Sequence, residues 1–170
     1  MVRLKHRYIT AQILPNERTF SSSSSSGDSL NQNMLQSTLR DKIRNLFGDV
    51  GSGDFGGSTY VRFFDSEYSQ IMVIRTTREG ESNVHFALSC ITKIESSNAK
   101  GGSNTDSIND SFIIRTLCVN SCVRTCMKSL RETFKVYLDH YNQATKKQAD
   151  ELSVATVASK IEIMLNNTEL

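Results

Sequence analysis

No run of this chain approaches the roughly 20 apolar residues that a membrane-spanning helix needs, so no membrane partner is expected. The basic residues at its start are followed only by "YITAQIL", too short and too polar for the apolar core of a secretory signal. The four cysteines, Cys90, Cys118, Cys122 and Cys126, are therefore read as reduced thiols of a cytoplasmic or nuclear protein. Cys118, Cys122 and Cys126 fall at intervals of four, but no second C-x-x-C pair and no suitable histidine completes a zinc site. They read as small buried hydrophobes. Three scattered histidines, His6, His85 and His140, form no metal-ligand pattern. His85 and Ser89 share a helix side, yet no oxyanion-hole motif or G-x-S-x-G turn accompanies them. The Gly-rich "GDVGSGDFGGS" lacks the lysine and spacing of a P-loop and reads as a connection. No catalytic residue, bound cofactor or metal ligand is expected.

What is present is one domain's worth of chain, 170 residues with 38% apolar side chains, enough for an ordinary core. The net charge of +2 argues for no particular partner, but its distribution does. Residues 111–147 hold seven Lys or Arg against two acids, whereas residues 47–110 hold five against nine. Such asymmetry points to one positive surface. The start is all basic: Arg3, Lys5, His6 and Arg7 precede the first carboxylate, Glu17.

The periodicities place the elements. "RYITAQIL" alternates, with Ile9, Ala11 and Ile13 on one side, and predicts a half-buried strand ended by Pro15, the only proline. The Ser-rich stretch after it predicts a flexible loop over about 16–33. Leu35, Leu39, Ile43, Leu46 and Phe47 recur at helical spacing, and Gly48 is placed to end that helix. "STYVRFFD" and "QIMVIRTT" predict a hairpin, and Val84, Leu88 and Ile91 a second helix. A polar insertion over about 96–110 precedes a fourth strand, "SFIIRTLCV". Val123, Met127, Leu130, Phe134, Leu138 and Tyr141 then line one side of a strong helix, and Val154, Ala158, Ile161 and Leu165 suggest another. The order β-α-β-β-α-β is that of the ferredoxin-like, RRM-like α+β sandwich. It divides the chain into a domain over 1–146 and a C-terminal helical extension over 147–170.

Arg124, Lys128, Arg131 and Lys135 project within roughly 60° of one another on the strong helix. That cluster is either a solvated face or a phosphate-contacting one. Stacking of bases on the sheet, the usual RRM mode, needs aromatics on the two central strands. The third strand has none, and the first has only Tyr8. Tyr60 and Phe64 share a side of an edge strand and read as core or interface. Backbone and shape recognition therefore fit better than base stacking.

At this point four landmarks carry a family likeness. "MVRLKHRYI" resembles the opening of the Pop-five protein subunits of ribonuclease P and ribonuclease MRP, Met-Val-Arg-Phe/Leu-Lys-x-Arg-Tyr. "FGDVGSG" resembles their Gly-Asp-x-Gly segment. "VRFFDSEYSQIMVIRTTRE" is similar to their hairpin ending in Arg-x-x-Arg/Lys, and "VNSCVRTCMKSL" to their Val-x-Gly-Thr-Ile-Arg/Lys turn into a helix. Gln70 stands where that family usually has glycine, and Ser121–Cys122 replaces Gly-Thr.

The resemblance implies a non-catalytic subunit of the ribonuclease P and MRP ribonucleoproteins. In both, RNA carries the catalytic centre and its Mg2+. It further implies a role in tRNA 5′-leader removal and rRNA precursor processing, in the nucleus and nucleolus. The implied partners are the two catalytic RNAs, a TIM-barrel-like subunit, a small RRM-like paralogue and, indirectly, precursor tRNA. Arg3, Lys5, His6, Arg7, Tyr8, Arg75, Arg78, Arg124 and Lys128 are the candidate RNA-binding residues. The competing reading is a ferredoxin-like protein-interaction or dimerisation module that touches no RNA.

Overall fold

The computed structural model of the chain describes residues 5–15, 30–66, 69–94 and 112–145. Strand β1 spans His6–Pro15, helix α1 Gln32–Asp54, β2 Tyr60–Phe64, β3 Ile71–Thr77, α2 Glu81–Ser89, β4 Phe112–Asn120 and α3 Val123–Thr145. The strands form one antiparallel sheet in the order β2-β3-β1-β4. This is the ferredoxin-like arrangement, with β1 and β3 in the centre. Arg3, most of the two polar insertions and the 147–170 extension lie outside the described residues.

Local chemistry explains the elements. Asn31 caps α1, its side chain accepting a hydrogen bond from the Asn33 amide at 3.4 Å. Leu35, Leu39 and Ile43 follow at helical spacing and are buried. The helix does not stop at Gly48 as the sequence suggests. Gly48 takes a left-handed φ of 64°, which breaks the helix geometry, and helical chain then resumes to Asp54. The segment expected to be a plain loop is thus partly helical, with buried Gly51 against Phe47 and Phe55. α2 ends at Ser89, so Ile91 is buried from the chain after the helix rather than from within it.

Two cores sandwich the sheet. On one face Ile9, Ala11, Ile13, Met72, Ile74 and Ile114 pack against α1 and α2. On the other, Tyr8, Phe63, Ile71 and Val73 are covered by Cys126, Leu130 and Phe134 of α3. Fully burying each of the larger of these side chains contributes about 1.5–3 kcal/mol. β1 is therefore not half-buried: Thr10 on its second side is fully buried, its hydroxyl 3.9 Å from the Cys126 sulfur. The face on which an RRM stacks bases is occupied by a helix.

Two bulges adjust the faces. Opposite β3, Arg62 is an extra residue, because Val61 pairs with Ile74 and Phe63 with Val73. Val61 and Phe64 consequently face α1 and α2 while Phe63 faces α3, so strict alternation misplaces this strand. Opposite β1, Leu117 is the extra residue of β4 and packs into the second core. The outer edge of β2 is closed by α1. Gln36 donates to the Thr59 carbonyl at 3.0 Å and accepts from the Val61 amide at 2.6 Å, as a neighbouring strand would. Gln32 donates to the Val61 carbonyl at 2.8 Å. Such covering blocks edge-to-edge pairing.

Candidate nucleic-acid interface

Antiparallel pairing brings the start of β1 beside the end of β3. His6 lies opposite Thr77, Arg7 opposite Thr76 and Tyr8 opposite Arg75. The Arg78 amide extends the ladder by donating to the Lys5 carbonyl at 2.9 Å. Asn120, the last residue of β4, pairs with Tyr8 on the other side, and α3 begins three residues later. One end of the sheet therefore gathers Lys5, His6, Arg7, Arg75 and Arg78, residues up to 73 positions apart in sequence. Arg124 and Lys128 stand exposed on the first two turns of α3, and Arg131 and Lys135 continue that exposed row.

The candidates are not equivalent. Lys5 and Arg78 are exposed. Arg7 turns toward α2, where its Nε donates to the Glu81 carboxylate at 3.1 Å; about a quarter of its side chain, 23%, remains exposed. His6 and Arg75 turn to the opposite face, Arg75 Nη2 lying 2.6 Å from His6 Nε2. Tyr8 is 7% exposed and its ring belongs to the second core, leaving little surface on which a base could stack.

Tertiary structure adds a basic-aromatic cluster that the sequence reading did not assemble. Tyr60 is 41% exposed, and the guanidinium carbons of Arg40 and Arg62 lie 5.4 and 5.8 Å from its ring centroid. The Tyr60-x-Arg62 spacing is visible in the sequence. Arg40, on α1, is not predictable from it.

The His85–Ser89 pair is not arranged as a nucleophile and its base. The Ser89 hydroxyl donates to the backbone carbonyl of His85 at 3.1 Å, a helix-internal bond rather than one to the imidazole. Among the described residues no group of three His, Cys, Asp or Glu side chains could hold a metal ion. An apolar cavity between α1, the sheet and α2 is lined by Leu35, Leu39, Val61, Met72 and Leu88, and presents no cluster of ionisable groups. Among the described residues no helix is long and apolar enough to cross a membrane.

The cysteines divide. Cys118 lies in β4 and is half-buried, and Cys126 is fully buried, as expected of small hydrophobes. Cys122 is exposed, which corrects that reading for this residue: it precedes α3 and faces solvent. Hydrogen bonding with Thr125 lowers the Cys122 thiol from its ordinary value, with Arg124 adding a smaller electrostatic pull. Burial pushes the Cys126 thiol up to about 11.

No curated protein matches the chain. A chain in a cryo-EM structure of yeast ribonuclease MRP is similar over 79% of this chain and 95% of its own length, with 13% identity and a TM-score of 0.42. The likeness read from the four sequence landmarks agrees with a broader match, because the pattern of the Rpp14/Pop5 family covers residues 7–131, and the chain belongs to that family.

Proposed function

We propose that the chain is a non-catalytic protein subunit of the ribonuclease P and ribonuclease MRP ribonucleoproteins, binding and stabilising their catalytic RNA. The RNA, with its Mg2+, supplies the chemistry of tRNA 5′-leader removal and rRNA precursor processing. The observation that carries the RNA contact is the convergence of Lys5, His6, Arg75 and Arg78 at one sheet end. Arg3 belongs to the same basic stretch of sequence, and Arg124 and Lys128 extend the cationic surface along α3. Arg7 contributes less, because Glu81 already neutralises it. Because α3 covers the central strands, the contact is with backbone and shape rather than stacked bases. A TIM-barrel-like subunit and a small RRM-like paralogue complete the protein environment, precursor tRNA is met through the particle, and the site of action is the nucleus and nucleolus.

The test is a salt series of binding to transcribed ribonuclease P RNA and MRP RNA. Each lost phosphate contact reduces the slope of log affinity against log salt by about 0.7–0.9. Alanine at Lys5 and Arg78 together should flatten it by about 1.4–1.8. An unchanged slope removes this sheet end from the interface. A wild-type protein that binds neither RNA favours the ferredoxin-like protein-interaction module instead. Purified protein incubated with precursor tRNA in the absence of the RNA subunit should leave it uncleaved.

A further inference from the structure

We propose that Tyr60, Arg40 and Arg62 form a seat for one unpaired nucleotide of RNA, the base lying on the tyrosine ring and the guanidiniums holding its phosphates. The inference rests on the RNA-binding reading and deepens it by naming a single-stranded element of the RNA. Register places the seat. Tyr60 lies opposite Arg75 on β3, Arg75 opposite Tyr8 on β1, and Tyr8 opposite Asn120 on β4, so one row crosses the sheet at its basic end. Directly opposed residues share a face, and the Tyr8 ring lies in the core under α3, so Tyr60 belongs to the α3-facing side. Of the described strand aromatics on this side, Tyr8 and Phe63 are buried, whereas Tyr60 is 41% exposed. The helix that closes the central strands to stacked bases leaves this edge ring open.

Two cations reach the ring from different elements. Gln36 ties α1 to β2 through the Thr59 carbonyl and the Val61 amide, and Arg40 follows one helical turn later. Arg62 is the extra residue of the β2 bulge. Both arginines are exposed, their guanidinium carbons lie 5.4 and 5.8 Å from the ring centroid, and neither forms an ion pair among the described residues. Two guanidiniums gathered at one ring, with no carboxylate paired to either, favour an anionic ligand. A ring flanked by cations suits single-stranded RNA, whose splayed bases stack on aromatics while Arg meets the phosphates. A duplex keeps its base faces in its own stack and offers only phosphates. Magnitudes permit the exchange. An exposed cation–aromatic contact is worth about twofold to fivefold in an equilibrium constant. A base on an aromatic ring is worth about fivefold to a hundredfold. A base therefore displaces a guanidinium from the ring, and the displaced guanidinium turns to the adjoining phosphate.

The experiment uses the full chain, which contains no tryptophan. Tyr60→Trp therefore installs a single indole at the proposed seat, and a base stacked on it quenches its fluorescence. A short oligouridylate should quench it, and an RNA duplex of the same length at the same concentration should not. Without that reporter, Tyr60→Leu should weaken oligouridylate binding about fivefold or more, and Tyr60→Phe should bind as the wild type does. Arg40→Ala with Arg62→Ala should flatten the salt slope by about 1.4, the single-strand value for two phosphates. Thermal melts establish that each variant is folded. Tyr60→Trp and Tyr60→Phe retain an aromatic ring, so the quenching arm decides even where Tyr60→Leu unfolds early. No quenching at any oligouridylate concentration, equal quenching by the duplex, or wild-type affinity in folded Tyr60→Leu would overturn the seat. So would quenching by polyglutamate and not by RNA, which marks a protein contact instead. If the ribonuclease P RNA binds without quenching, the seat falls and the subunit reading stands. If oligouridylate quenches but neither the ribonuclease P RNA nor the MRP RNA binds, the seat stands and the subunit reading falls.

Discussion

At the scale of single residues, Gln70 shows how a departure from a family pattern acquires a physical meaning. It stands where the resemblance to the Pop-five subunits implies a glycine, and its φ is +52°, the left-handed region that a Cβ disfavours. Its surroundings hold it there. The Ser69 amide and hydroxyl both donate to buried Asp65, at 2.9 and 2.7 Å, and the Gln70 carbonyl accepts from Ile13 at 3.0 Å. Gln70→Gly should relieve the strain and, after the entropy that glycine adds to the unfolded chain, raise stability by about 0.5–1 kcal/mol in a urea melt. A loss of stability would mean that the side chain contributes more than the strain costs. The cysteines give a second residue-scale expectation. Thiolate, not thiol, is the nucleophile, so exposed Cys122 should react first with iodoacetamide, and Cys126 only after unfolding. Because the folded Cys126 value lies above its ordinary 9.0, its contribution to stability is complete below pH 9. It should fall as the pH rises toward about 11, where the unfolded chain gives up that proton first.

At the scale of elements, α3 is the piece that departs from the minimal β-α-β-β-α-β plan. Phe134 is fully buried and meets Phe63 edge-on, with ring centroids 6.4 Å apart. Phe134→Ala should cost about 3–5 kcal/mol in denaturant unfolding. Val136→Ala, at a position 56% exposed, should stay within about 0.5 kcal/mol of wild type. Equal effects would show that the α3–sheet packing contributes little to stability. The helical spacing of Val123, Met127, Leu130, Phe134 and Leu138 was legible in the sequence, as were the four strands and α1. What the spacing lacked was a destination. An apolar stripe states that something covers it, not which sheet face does, and the polar-looking side of β1 gave no sign that it was that face.

At the scale of the whole molecule, the candidate interface exists only because distant segments meet. Arg7 and Arg75 look alike in sequence, but pairing turns one toward the Glu81 carboxylate and the other toward His6. That distinction makes the salt dependence selective: Lys5 and Arg78 should account for more of the slope than Arg7→Ala alone, which should change it by well under one contact's share. A larger loss at Arg7 would mean that RNA displaces Glu81. The basic opening, the exposed row on α3 and the family likeness were readable beforehand because they are local patterns of charge and spacing.

By itself the sequence determined the four strands, the apolar stripes of α1 and α3, the ferredoxin-like order and the presence of a cationic stretch, since periods of two and 3.6 residues and runs of charge are written along the chain. Only the tertiary structure decided that both sheet faces are covered, that bulges at Arg62 and Leu117 reassign Phe63 and Leu117 to the second core, and that Arg7 is the cation of the sheet end paired with Glu81. The physical reason is that one inserted residue reverses every side chain beyond it, and that an ion pair depends on distance in space, which local patterning does not encode.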